Sequence, residues 1–194
     1  MLLVVGLGNP GREHAGQRHN VGFAVTGELR TAWALPDFKS KWSALYTRGE
    51  ARLGAVARAV ALLQPQTYMN LSGESVQPAA AFLGVTHAEV LVVHDELDLP
   101  FGDVRIKVGG GHAGHNGLRS IIGRLGTPDF LRVRVGIGRP PPGFPGDVAD
   151  WVLGRFDAAE KAVLPGVLER AAHVVTRVLT EGPAAAQLEV HTKS

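Results

Sequence analysis

Two glycine-rich loops, each set directly behind a short apolar run, constrain this chain most. The first reads Gly6-Leu7-Gly8-Asn9-Pro10-Gly11 and leads to Arg18-His19-Asn20; the second reads Gly109-Gly110-Gly111-His112-Ala113-Gly114-His115-Asn116-Gly117. The runs before them, Leu2-Leu3-Val4-Val5 and Val104-Arg105-Ile106-Lys107-Val108, have the length and the β-branched content of strands. Imidazole and carboxamide groups held out on loops with little side-chain bulk suit proton transfer and carbonyl binding. Core packing gives no reason to assemble them there.

Around these loops, strand-like and helix-like segments alternate. Strands are predicted at Leu2–Gly6, Ala44–Arg48, Val56–Leu63, Val90–His94, Val104–Val108 and Leu131–Ile137. Helices are predicted at Val21–Trp33, Leu71–Leu83, Leu118–Leu125 and Ala158–Thr180, with Pro165 expected to kink or divide the last. A hairpin is expected near Gly49–Gly54. The expectation is a single α/β domain spanning residues 1–194, a twisted mixed sheet with helices on both faces. In such sheets ligands bind beyond the carboxyl ends of strands. Residues 8–20, 64–70, 94–98 and 109–117 are expected to converge there.

Composition narrows the chemistry. There is no cysteine, so disulfides, thiolate nucleophiles and Cys-type zinc sites are excluded. Met1-Leu2-Leu3-Val4-Val5-Gly6 reads as a strand rather than a signal peptide, and no apolar stretch has the length of a membrane span. Charge is uneven: residues 101–140 hold seven Lys or Arg against two Asp or Glu. That basic segment points to a polyanionic substrate.

The first loop matches a dinucleotide-binding fingerprint in its glycines, but Pro10 favours an extended Asn9 and no helical stripe follows at once. No Ser sits in a Gly-x-Ser-x-Gly elbow. What remains is a water activated by a base or by a metal. His19 and His115 are the candidate bases, and Asp95 is the candidate carboxylate that would orient one of them. Asn9, Asn70 and Asn116 can donate to carbonyls and accept from amides, or can equally be turn and cap residues. His94, Asp95, Glu96, Asp98, His112 and His115 supply metal-ligand types without metal-ligand spacing, so no metal is expected. Lys107 and Arg134 fall on alternating strands, where they could share a face.

Five blocks in order carry a resemblance: Val5 to Gly11, Arg18-His19-Asn20, Tyr68-Met69-Asn70-Leu71-Ser72-Gly73, His94-Asp95-Glu96-Leu97-Asp98-Leu99-Pro100, and Gly109 to Leu118. Together they resemble the bacterial-type peptidyl-tRNA hydrolase family along nearly the whole chain. That family cleaves the ester between a peptide and the terminal ribose of tRNA, and so recycles tRNA from peptides dropped in translation. The resemblance implies a monomeric, cytoplasmic enzyme without metal or cofactor, acting on peptidyl-tRNA with no obligate protein partner and no membrane. It implies that His19 is the general base and that Asp95 supports it. Asn9 would discriminate blocked from free aminoacyl-tRNA, and Tyr68, Asn70 and Asn116 would contact the peptidyl end. Lys107 and Arg134 would engage the tRNA 5′-phosphate. His14 stands where the family usually has Tyr and is carried as a substrate-binding position. The proline-rich stretch 139–147 does not match well and contributes no basic residue to this assignment. It reads as either a surface connector or a flap. The alternatives are a non-catalytic RNA-binding domain and a nicotinamide oxidoreductase.

Overall fold

The computed structural model describes residues 1–192. Its seven strands form one mixed sheet in the order β2-β3-β4-β1-β5-β7-β6. They are β1 (Leu2–Gly6), β2 (Lys39–Lys41), β3 (Ala44–Leu53), β4 (Val56–Pro65), β5 (Val90–Glu96), β6 (Val104–Val108) and β7 (Leu131–Gly136). The helices are α1 (Val21–Ala32), α2 (Gly73–Leu83), α3 (Asn116–Leu125), α4 (Val148–Val152), α5 (Ala158–Glu181) and α6 (Pro183–Thr192). Strands β4, β1, β5 and β7 run parallel, while β3 and β6 are antiparallel to their neighbours.

The central strands are apolar on both faces, as a sheet covered on both sides requires. Val4, Leu62, Leu91 and Val93 pack with Val25 and Leu29 of α1 and Val167, Ala171 and Val175 of α5. Leu3, Val5, Leu63 and Val92 pack on the other face with Val76 and Ala79 of α2 and Leu118 and Ile121 of α3. The expected α/β fold with helices on both faces is what forms. Beyond β5 the second face changes character. Arg132 and Arg134 of β7 lie opposite Lys107 and Arg105 of β6 in register, so four cations share one sheet face.

Several boundaries differ from expectation for identifiable reasons. Strand β3 runs on past Arg48 to Leu53 while β4 starts at Val56 as expected, so the hairpin turn is Gly54-Ala55, with Gly54 at φ 66°. Gly49 lies inside β3, where the Leu35 side chain sits 3.0 Å from the place a Cβ would occupy. Helix α5 is continuous across Pro165 rather than divided. Pro165 and Lys161, the residue whose carbonyl Pro165 cannot bond, both lie on the exposed face. The structure adds elements beyond those expected: β2, which is an exposed, Lys-flanked edge, and helices α4 and α6. The signal for α4 was present as a capping box between Asp147 and Asp150.

Glycine pairs set the approach of α1. A Cβ on Gly22 would lie 2.4 Å from the Leu7 nitrogen and the Val93 oxygen, and one on Gly6 would lie 2.3 Å from the Gly22 oxygen. Only bare backbone lets α1 start this close to the ends of β1 and β5. The 3-10 turn Arg18–Asn20 immediately before α1 is thereby held over the carboxyl end of β5.

Candidate active site

A cleft of about 520 Å³ opens at the carboxyl ends of β1, β4 and β5. Asn9, His19, Tyr68, Asn70, Asp95, Lys107, Asn116 and Arg134 all line it. Three of the four loop segments arrive as the strand directions require. The fourth does not: β6 is antiparallel to β7, so residues 109–117 leave from the opposite end of the sheet. The loop runs back across the basic face. Arg132, buried at 2% exposure, holds it by donating to the carbonyls of Gly111 at 2.6 Å and Gly110 at 2.5 Å.

The return path brings His115 to Asp95. Nε2 of His115 lies 2.9 Å from Oδ1 of Asp95, and Nδ1 of His19 lies 2.8 Å from Oδ2. The His115 ring also caps α3, its Nδ1 accepting from Gly117 N–H at 3.1 Å and Leu118 N–H at 3.4 Å. An Nδ1 that accepts carries no proton, so Nε2–H donates to Asp95. Both nitrogens of His115 are thus occupied, and of the two candidate bases only His19 keeps a ring nitrogen, Nε2, outside this network.

Asp95 is buried at 3% exposure. Burial works to raise its pKa, but the two imidazoles hold the carboxyl well below the usual range. At His19, burial works against the imidazolium, and the charge and hydrogen bond of Asp95 outweigh it, so the pKa is raised. His94 is the contrary case. It is 2% exposed, donates from Nδ1 to the Asp95 carbonyl oxygen at 2.7 Å, and is pushed down to about 3 by burial and then by His115. It is therefore a neutral group in the wall, not a base.

Among the described residues, His19, Asp95 and His115 form a group whose potential ligand atoms lie within 4.8 Å of one another. Local spacing could not show it, because its members come from three separate elements: the 3-10 turn before α1, the end of β5 and the cap of α3. The tautomer of His115 argues against its use as a metal site. A neutral imidazole that ligates through Nε2 carries its proton on Nδ1, and here Nδ1 faces two N–H donors.

Asn9 is buried, and its Oδ1 accepts from the Met69 N–H at 2.7 Å. With the oxygen committed, its side chain offers N–H groups to the cleft. Asn20 does not face the cleft; it trades hydrogen bonds of 2.9 Å with the Asn9 backbone in both directions and ties the two turns together. Asn70 is no helix cap, since α2 begins only at Gly73, and it stays exposed in the cleft beside Tyr68. Asn116 opens α3 under the His115 cap. Lys107 and Arg134 are on one face as expected, and Arg134 faces Glu96 at 3.5 Å. His14 is not among the lining residues; its Nδ1 sits 2.9 Å from Oε1 of Gln17.

The dinucleotide fingerprint fails on geometry, because α1 begins only at Val21, ten residues past Gly11, rather than directly behind the glycine turn. Two features of the lining were not foreseen. Arg139 lines the cleft and binds Asp98 through Nε and Nη2 at 2.8 and 2.7 Å. Val148, Ala149 and Val152 of α4, with Leu153 at its end, add an apolar wall.

The peptidyl-tRNA hydrolase family model matches residues 3–194. The chain belongs to the peptidyl-tRNA hydrolase family. It is 56% identical to the peptidyl-tRNA hydrolase of Sorangium cellulosum over 94% of this chain and 80% of that protein. It is 46% identical to the enzyme of Syntrophotalea carbinolica over 100% of this chain and 98% of the relative. The crystal structure of peptidyl-tRNA hydrolase from Acinetobacter baumannii superposes with a TM-score of 0.87 at 37% identity, covering 98% of this chain and 94% of that one. The chain is accordingly a hydrolase of this family. Among its described residues, no helix is long and apolar enough to cross a membrane.

Proposed function

We propose that the cleft cleaves the ester between an N-blocked aminoacyl group and the terminal ribose of peptidyl-tRNA, by water that His19 activates, and releases tRNA for reuse in translation. The observation that carries this reading is the His19–Asp95 hydrogen bond at 2.8 Å. It fixes the proton on Nδ1 and leaves Nε2 as the basic lone pair in the cleft. Nε2 takes a proton from water as the oxygen attacks the ester carbonyl. The tetrahedral intermediate then expels the ribose oxygen, and the imidazolium returns the proton to it. Asp95, already ionised, stabilises the imidazolium between the two steps. His115 positions Asp95 and takes no proton itself.

Asn70 and Asn116, which line the same cleft, donate in this reading to the oxygen on which charge develops. Asn9 presents only N–H groups. These fit the carbonyl of a blocked amine and oppose a free α-ammonium, which has donors alone. That is a physical basis for distinguishing peptidyl-tRNA from aminoacyl-tRNA. Tyr68 is exposed beside Asn70 and contacts the same end of the substrate. Lys107 and Arg134 hold the terminal phosphate of the tRNA by charge. The reading includes a monomeric, cytoplasmic enzyme that needs no protein partner, metal or cofactor.

Incubation of the protein with an N-acetyl-aminoacyl-tRNA, without added cofactor and with a chelator present, tests it. Release of the N-acetyl amino acid and intact tRNA supports the reading. Loss of activity on chelation, with rescue by a divalent metal, contradicts it.

A further inference from the structure

The geometry points to Arg18 as a positioning residue: we propose that it latches α4 to the catalytic turn and so sets the grip of the cleft on apolar acyl groups. This rests on the hydrolytic reading above and adds a determinant of substrate preference to it.

Arg18 is next to His19 in the same 3-10 turn, yet its side chain points away from the cleft chemistry and is buried, at 5% exposure. A buried cation is costly unless it is paired. One carboxylate answers it, Glu160 of α5 at 3.4 Å. Most of its other contacts go to α4 and the residues just after it. Its guanidinium carbon stands 3.6 Å from the centre of the Trp151 ring, and Nη1 donates to the Trp151 carbonyl at 3.3 Å. The Arg18 backbone N–H donates to the Gly154 carbonyl at 2.9 Å, and Gln17 forms an isolated β-bridge with Arg155. A Cβ on Gly154 would meet Nη1 at 3.0 Å, so glycine permits the approach.

Helix α4 has little else to fix it. It is five residues long and has no buried residue of its own. Further ties run through the Trp151 side chain, whose indole N–H donates to the Gly138 carbonyl at 2.9 Å and whose ring meets that of Phe144, in the proline-rich stretch, at 5.3 Å. Val148 and Val152 of the helix, with Leu153 at its end, line the cleft. One side chain thus joins the turn that carries the base to the apolar wall nearest it. An acyl group with a large apolar side chain gains from that wall, whereas one without a side chain does not.

The test compares N-acetyl-leucyl-tRNA with N-acetyl-glycyl-tRNA for wild type, Arg18→Lys, Trp151→Leu and the double variant. Lysine keeps the charge but not the planar stack. Each single variant is expected to raise KM for the leucyl substrate by about tenfold, the order of a desolvated cation–π contact. The glycyl substrate and the acidic limb of the pH–rate profile should stay as in wild type. The double variant should be no worse than the poorer single one, because both remove the same contact. Equal loss on both substrates, a shifted acidic limb or additive losses would overturn the latch. If Arg18→Lys does not fold, Trp151→Leu carries the comparison, since Trp151 is only partly buried and leaves no buried charge unpaired when replaced. If wild type cleaves neither substrate, the hydrolytic reading fails separately. Hydrogen exchange at the Trp151 indole then decides the latch: faster exchange in Arg18→Lys supports it, and an unchanged rate overturns it.

Discussion

His115 donates from Nε2 to Oδ1 of Asp95 across 2.9 Å, and the backbone of α3 permits it no other tautomer. A helix N-terminus thereby fixes the proton on a ring bonded to a carboxylate twenty residues earlier in the chain. Replacing His115 with Ala removes a hydrogen bond to a buried charge, worth about 1.5–3 kcal/mol, and a helix cap, worth about 1 kcal/mol. The variant should melt lower, by roughly 2–4 °C for each kcal/mol lost, and kcat should fall because Asp95 is no longer held. Unchanged melting and kcat would show that the bond contributes nothing.

Asp95→Asn separates charge from shape. Asp95 raises the His19 pKa, and His19 acts as a base only when neutral. Activity therefore climbs with pH through the His19 pKa. Without the carboxylate that pKa drops, so the acidic limb should move to lower pH while the plateau kcat falls. A pH–rate profile with an unmoved acidic limb would mean that Asp95 does not act through His19.

The cations can be tested apart from the chemistry. Lys107→Ala or Arg134→Ala should weaken binding of full-length peptidyl-tRNA and reduce the salt slope by about one unit. An acylated adenosine without the tRNA body should be cleaved as by wild type. Loss on that minimal substrate by a folded variant would assign these cations to the catalytic centre.

His94 predicts a pH effect on stability. Its folded pKa, near 3, lies below the value of about 6.5 for an unfolded histidine. Its contribution is therefore complete above pH 6.5 and is lost as pH falls toward 3, with a limiting slope of about 1.4 kcal/mol per pH unit. Denaturant melts from pH 7 to pH 4 should steepen accordingly, and His94→Gln should flatten the curve. Identical slopes in the two proteins would contradict a buried neutral imidazole.

The fold was legible where patterning was strong. Strands Leu2–Gly6 and Val104–Val108 coincide with their sequence limits because alternation or an apolar run ends at a glycine. His19, Asp95 and the three asparagines stood out as chemistry on loops, and all five line the cleft. What could not be read was direction and tautomer. Nothing local says that β6 runs antiparallel, so the route of residues 109–117 back over the sheet was invisible. Nor does it reveal that His115 spends its Nδ1 on Gly117 and Leu118, which decides between the two candidate bases. Helix α4 escaped because five residues give no periodic stripe; only the Asp147–Asp150 cap marks it.

In the proposed reaction Nε2 of His19 takes the proton from the attacking water. Single-turnover hydrolysis of N-acetyl-aminoacyl-tRNA and of the acylated adenosine by His19→Ala tests it most directly. The rate should fall by about 10²–10⁴-fold on both substrates, with tRNA affinity close to wild type. A folded His19→Ala protein that cleaves either substrate at a rate near wild type would contradict it.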